Sequence, residues 1–242
     1  MFFLKLFILA LRRLNSSDDY FKFQLFQARR VIFDLKKFIP GRLNEMSILD
    51  LGCGHGAYSI SLADYFNEVY AVDRYVDLSL AFKRYKKPNI KIYKKNILGY
   101  KAKVVDIIFC ASVIEHIPSD KLEFFLSTIH SNLKKGGFLY LSFPPFKSPI
   151  GGHLSAPFHY LPDKIAFLLT YIFKRKKIYS YSSMFGKWGL YKLNIEEIES
   201  ILSKKGFGVI SIRSRFMPSF YNYFFSRNNY FNWHCEFIAI KN

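Results

Sequence analysis

The sequence predicts an α/β fold, a largely parallel sheet with helices on both faces, and three observations predict it. Apolar stretches of strand length alternate with helical patterns from Ser47 to Phe143. A glycine-rich loop, Gly52-Cys53-Gly54-His55-Gly56, follows the first of those strands and opens a helix. An acid, Asp73, closes the second strand. With 242 residues and 50 % hydrophobic side chains, the chain has the material for one such domain with insertions.

The stretch Met1–Leu14 is apolar apart from Lys5, Arg12 and Arg13. It is shorter than the roughly 20 residues of a spanning helix. Its charge follows the apolar run, which argues against a secretory signal. Two readings fit it: a helix docked on the body of the protein, or one lying in a membrane interface. Residues 18–39 then carry Phe23, Phe26, Val31, Phe33, Leu35 and Phe38 at helical spacing, and Pro40-Gly41 ends the helix.

Strands are expected at 47–51, 68–72, 90–93, 104–110 and 138–143, with helices at 57–65 and 121–133. Residues 144–190 break this rhythm with Pro144-Pro145, Gly151-Gly152, an apolar run Ile165–Phe173 and the basic run Lys174-Arg175-Lys176-Lys177. Asn194 then suits the cap of a helix reaching Lys204, Gly206 its end, and 207–212 and 235–240 the last strands. The segment Phe216–Trp233 is unusually aromatic. The chain divides accordingly into a helical extension (1–44), a cofactor-binding core (45–145), a lid or acceptor insertion (146–190) and a completion of the core (191–242).

The net charge of +18, from 36 Lys and Arg against 18 Asp and Glu, suits anionic partners or a general compositional drift. Lys83, Arg84, Lys86, Lys87, Lys91, Lys94 and Lys95 could follow a phosphate backbone, but no nucleic-acid-binding module accompanies them, so a solvated basic face is the default. Cys53, Cys110 and Cys235 are odd in number and far apart, which speaks against a disulfide framework or a zinc site and for the cytoplasm, with peripheral membrane contact as an option.

The glycine loop brings a ligand close to the backbone, and the amides at the following helix start suit a carboxylate. Asp50 offers an acceptor to an ammonium group, and Asp73 can take both hydroxyls of a ribose. Gly52, Gly54 and Ala57 also satisfy the dinucleotide fingerprint, so the loop alone leaves a nicotinamide cofactor open.

Four stretches in register then resemble the class I S-adenosylmethionine-dependent methyltransferases, in particular their small-molecule, type 11-like branch. Asp50–Gly56 is similar to that family's D-x-G-x-G-x-G loop, and Asp73 falls at its ribose-binding acid. Val105–Ile108 with Val113-Ile114-Glu115-His116-Ile117 resembles its fourth strand and "EH" turn, and Leu133–Leu139 its "LKPGG" turn into the fifth strand. The resemblance implies a Rossmann-like doubly wound sheet of about seven strands with an antiparallel last strand. It also implies S-adenosylmethionine as cofactor, held by Asp50, Gly52, Cys53, Gly54, Gly56, Asp73, Arg74, Asn96, Ile97, Cys110 and Ala111. Asn96 stands where the family commonly has an acid facing the adenine amino group, and an uncharged amide oxygen can accept the same bond.

Methyl transfer from a sulfonium needs alignment and exclusion of water rather than an enzyme nucleophile. A hydroxyl acceptor would gain from a base, and His153 and His159 are the candidates, beyond the fifth strand. The resemblance implies that His116 shapes the pocket wall, with a structural role for His116 beside Glu115 as the alternative, and His130 reads as a surface helix residue. The expected function is methyl transfer to a small-molecule, glycan or lipid-linked acceptor. A nicotinamide-dependent oxidoreductase and a non-catalytic S-adenosylmethionine-binding module are the rivals.

Overall fold

The computed structural model describes residues 2–12, 15–74, 85–174 and 190–242. Its strands are β1 (Ser47–Leu51), β2 (Glu68–Asp73), β3 (Ile90–Lys94), β4 (Val105–Ala111), β5 (Leu133–Phe143), β6 (Phe207–Ser214) and β7 (Cys235–Lys241). They form one sheet in the order β3-β2-β1-β4-β5-β7-β6. β1 runs parallel to β2 and β4, β2 parallel to β3, and β7 antiparallel to β6. Ile48, Leu49 and Leu51 of β1 are fully buried, as a strand covered on both faces requires. The expected doubly wound, Rossmann-like sheet is therefore present.

Among the described residues the α-helices are α1 (Phe2–Arg12), α2 (Ser17–Phe38), α3 (Ala57–Leu62), α4 (Leu122–Asn132), α5 (Asp163–Lys174), α6 (Ile195–Lys204) and α7 (Ser219–Phe225). The Ser16 hydroxyl caps α2 by accepting from the Asp19 amide at 3.1 Å, and Lys36 and Lys37 sit at the opposite pole. Asn194 caps α6 by accepting from the Glu197 amide at 2.8 Å. The chain packs as two compact units, Met1–Cys110 with Ser131–Tyr140, and Ala111–His130 with Leu141–Asn242.

Within the first unit α1 lies along α2, with the Lys5 ammonium 5.4 Å from the centre of the Phe26 ring. Phe7 and Leu11 of α1 remain exposed. Phe21, Ala57 and Ile60 form a small core where α2 meets α3. The Asp106 carboxylate accepts from the Ser47 amide (2.9 Å) and hydroxyl (2.7 Å) and pairs with Lys134 (2.6 Å), so one acid ties the starts of β1, β4 and β5 together.

Four expectations change. Phe33 is exposed, because the buried stripe of α2 runs through Ala28, Val31, Ile32 and Leu35 on the other side, and Arg30 lies over the Phe33 ring instead. The helix after the glycine loop stops at Leu62 rather than Tyr65, where the chain turns to bury Phe66. β5 begins at Leu133, five residues earlier than apolar content alone suggested, through the exposed Lys134-Lys135-Gly136. His130 is half-buried, its ring edge-on to Phe207 at 5.3 Å, not a surface residue. Of the basic runs, residues 83–84 and 175–177 lie outside the described residues; Lys87 and Lys91 pair with Asp64 and Glu68.

Candidate active site

In the first unit the chain leaves β1 at Leu51 and is stitched at once to the tip of β2. The amides of Gly52 and Cys53 both donate to the Val72 carbonyl, at 2.8 and 3.1 Å. One residue on, the Gly54 amide donates to the Asp73 carboxylate at 2.9 Å. Gly52, Gly54 and Gly56 all sit in the left-handed region, at φ 86°, 51° and 77°, which only glycine adopts without cost. A Cβ at Gly54 would meet nothing within 4 Å, so the loop presents bare backbone to open space. Bare backbone of this kind lets a ligand approach closely, and Asp73 is already fixed against the loop.

Asp50 is fully buried in β1 and accepts from the Ser59 hydroxyl of α3 at 2.5 Å. Burial pushes its carboxyl up to about 7, against the lowering effect of the Ser59 bond. In this structure Asp50 thus links strand to helix, and Ser59 is a partner the sequence did not announce. Burial also pushes the Cys53 thiol up, so Cys53 serves through its amide. The Lys95 amide donates to the Asp73 carbonyl at 3.0 Å, which places Asn96 next along. Asn96 is exposed, and its side-chain oxygen accepts from the Leu98 amide at 3.1 Å in a local turn. Arg74 is exposed just past β2, Ile97 half-buried, and Cys110 buried at the end of β4. Ala111, half-buried, is the first residue of the second unit.

Within the second unit, His153 and Glu115 come together. The His153 Nε2 lies 3.6 Å from a Glu115 carboxylate oxygen. Glu115 is buried, and neither of its oxygens has a hydrogen-bond partner among the described residues. Burial pushes its carboxyl up to about 8. The His116 ring stands edge-on to His153 at 5.8 Å. His153 itself is left-handed at φ 46°, a conformation costing a non-glycine residue about 1 kcal/mol.

The neighbouring glycines explain how that loop is held. A Cβ on Gly152 would lie 2.3 Å from the His159 ring, and one on Gly151 would lie 2.0 Å from the Pro145 carbonyl oxygen. His159 is buried, with Nε2 3.0 Å from the Ser148 carbonyl. It supports the loop and also lines a cavity of about 1000 Å³ with Tyr160, Lys164, Lys192 and Tyr230. Glu115 was visible in the sequence within the "EH" turn. Its pairing with His153 was not, because no local pattern joins two positions so far apart in the chain.

Sheet order and loop together define a class. β7 inserted antiparallel between β5 and β6 departs from the 3-2-1-4-5-6 order of dinucleotide-binding sheets, and it is the arrangement of S-adenosylmethionine-dependent methyltransferases. A family model described as a methyltransferase domain matches residues 23–212. The chain belongs to that family: it is a methyltransferase, and its cofactor is S-adenosylmethionine. The oxidoreductase reading falls with this.

Among solved structures, the fold is similar to that of magnesium protoporphyrin IX methyltransferase from Synechocystis PCC 6803 with bound SAH (S-adenosylhomocysteine). The two share 17% identity over 94% of this chain and 88% of the other, with a TM-score of 0.58. N-methyltransferase NodS from Bradyrhizobium japonicum matches at 16% identity over 89% and 85%, TM-score 0.56. The 1,6-didemethyltoxoflavin-N1-methyltransferase of Burkholderia thailandensis matches at 15% over 90% and 78%, TM-score 0.56. No curated protein sequence matches the chain. No helix of the described residues is long and apolar enough to cross a membrane, and no cluster of metal ligands occurs among them.

Proposed function

We propose that the protein methylates an oxygen of a small-molecule, glycan or lipid-linked acceptor, with His153 as general base and Glu115 as the residue that orients it. The observation that carries this reading is the 3.6 Å approach of His153 to a buried carboxyl group whose oxygens have no hydrogen bond among the described residues. Catalytic hydrogen bonds are often long before substrate binds, so a distance just beyond bonding range suits a resting base. Holding a histidine in a left-handed conformation is a strain that persists where function requires it. The named structural neighbours that act on protoporphyrin and didemethyltoxoflavin support an acceptor of small-molecule size.

S-adenosylmethionine supplies a methyl group already activated by its sulfonium charge, and the acceptor oxygen displaces S-adenosylhomocysteine from it. Asp73 would take the ribose hydroxyls, and the backbone of Gly52–Gly56 would receive the amino-acid end; Asn96, Ile97 and Cys110 would border the base. With Nε2 turned toward Glu115, the acceptor's proton goes to Nδ1 of His153. The imidazolium that results turns its Nε2–H toward a Glu115 carboxyl oxygen, which can accept it. Residues 146–190 select the acceptor.

The test is incubation of cell extract with isotopically labelled donor and purified enzyme, followed by mass spectrometry of the labelled product. His153→Ala is expected to lower labelling about 10²–10⁴-fold, the usual contribution of a general base. Its affinity for S-adenosylhomocysteine, read by calorimetry, should stay within about twofold of the parent, since only acceptor chemistry has changed. Undiminished labelling removes His153 as the base. Tight binding of the cofactor with no labelled species in any extract favours a non-catalytic binding module instead.

A further inference from the structure

Two helices of the second unit are turned inside out. α5 buries only its small residues, Ala166 and Thr170, one turn apart. It turns Ile165, Leu168, Tyr171, Ile172 and Phe173 outward, the last of them 69% exposed. α7 buries none of its residues, and its inward contacts are made by an amide. Asn222 accepts from the Ser214 amide at 2.5 Å and donates to the carbonyls of Met217 (3.2 Å) and Ser214 (3.4 Å). Phe220, Tyr223 and Phe224 meanwhile stand 71%, 84% and 70% exposed. A soluble helix normally does the reverse.

The two helices are linked through the stretch Tyr230-Phe231. The Phe231 ring packs on Phe225 of α7 at 5.1 Å, and the Tyr221 hydroxyl donates to the Phe231 carbonyl. The preceding residue, Tyr230, shares the wall of the 1000 Å³ cavity with Tyr160, Leu161 and Ile165 at the start of α5. Lysines edge this surface: Lys147 lies over the Tyr230 ring at 5.4 Å, Lys164 lines the same cavity, and Lys192 lines it paired with Asp163 at 2.7 Å.

We infer that this face of the second unit docks on an anionic lipid bilayer at the level of its headgroups. The inference stands apart from the methyl-transfer reading, since it uses neither His153 nor the cofactor loop. α5, at 12 residues, is about 18 Å long, well short of a hydrocarbon core of about 30 Å, so it lies in the interface rather than crossing it. Tyrosines and a tryptophan with apolar bodies and polar tips are the side chains of that boundary. Charge selects the occupant. Two copies of a chain carrying +18 repel each other, whereas an anionic surface attracts the lysines at the rim and the basic excess of the sequence.

Co-sedimentation with phosphatidylglycerol-containing vesicles tests this, with pure phosphatidylcholine vesicles as the comparison. The wild-type chain is expected to sediment with the anionic vesicles and to be released by high salt. Leu168→Glu with Ile172→Glu, both exposed, should cut the partition coefficient at least tenfold while leaving the melting temperature and S-adenosylhomocysteine affinity unchanged. In a Trp188→Phe background, Trp233 emission should shift to the blue on adding vesicles and should not do so in the Glu variant. Four results overturn the inference: no sedimentation of the wild-type chain, equal binding to both vesicle types, binding indifferent to the two Glu substitutions, or a dimer in sedimentation velocity that the same substitutions dissociate. The last would assign the face to a second copy of the chain. Loss of cofactor affinity with vesicle binding intact would count against the functional reading alone.

Discussion

The two loops to which we assign the cofactor and the proposed base are built on opposite principles. In the first unit, the polar groups at the tip of β1 are tied to protein partners. Gly52 and Cys53 share the Val72 carbonyl, Gly54 donates to Asp73, and Asp50 accepts from Ser59. In the second unit, Glu115 is buried with both oxygens unmet, and His153 approaches it in a strained backbone conformation. The first loop is preorganised for binding, where satisfied hydrogen bonds fix a shape. The second keeps an unsatisfied acid in a dry place, where it has the most leverage over a neighbouring charge.

Substitutions can break this contrast, beginning with the largest effect. Gly152→Ala forces a Cβ into the His159 ring and moves His153, so turnover should fall about 10²-fold, as misplacement of a catalytic group by about 1 Å does. Cofactor affinity should be unchanged; a variant with full turnover would show that the close packing at Gly152 does not set the position of His153. Asp73→Ala acts on the other loop. It should weaken S-adenosylhomocysteine binding by about 1–3 kcal/mol, the cost of removing a charged hydrogen-bond partner, and calorimetry reads this directly. An affinity equal to the parent's, in a folded variant, removes the ribose role.

The smaller effect concerns pH. Burial raises the Glu115 carboxyl from its usual value near 4.5 to about 8. The folded state therefore holds this proton more tightly than the unfolded one. The associated stability is fully present below pH 4.5 and is lost as pH rises through about 8. Glu115→Gln, which cannot ionise, should gain on the wild type by roughly 1–3 kcal/mol between pH 5 and pH 9 in denaturant titrations. Parallel pH profiles for the two proteins would mean that Glu115 ionises without cost, already paired with a cation.

Much of the first unit could be read from the chain because its signals are contiguous. A strand, three glycines and an acid at the tip of the next strand lie within a single βαβ stretch, and backbone geometry alone translates them into a loop. Ser59 was hidden, since a serine inside a short helix carries no mark of the acid it will meet. In the second unit the signals are dispersed. Glu115 and His153 meet only after α4 and β5 have intervened. The apolar run at 165–173 was visible, but which of its side chains would face inward was not, because that depends on what Ala166 and Thr170 pack against. Phe33 fails for a related reason: helical spacing permits several stripes, and the one that is buried is chosen by the neighbour.

His153 carries one more consequence. Its backbone angle is one that glycine would occupy willingly, so His153→Gly should melt higher than His153→Ala, by about 1 kcal/mol of relieved conformational tension. A chain that keeps imidazole at a glycine-shaped position forgoes sturdiness there, and selection for heat tolerance alone would be expected to drift that site toward the smallest residue, at the cost of the base that we propose.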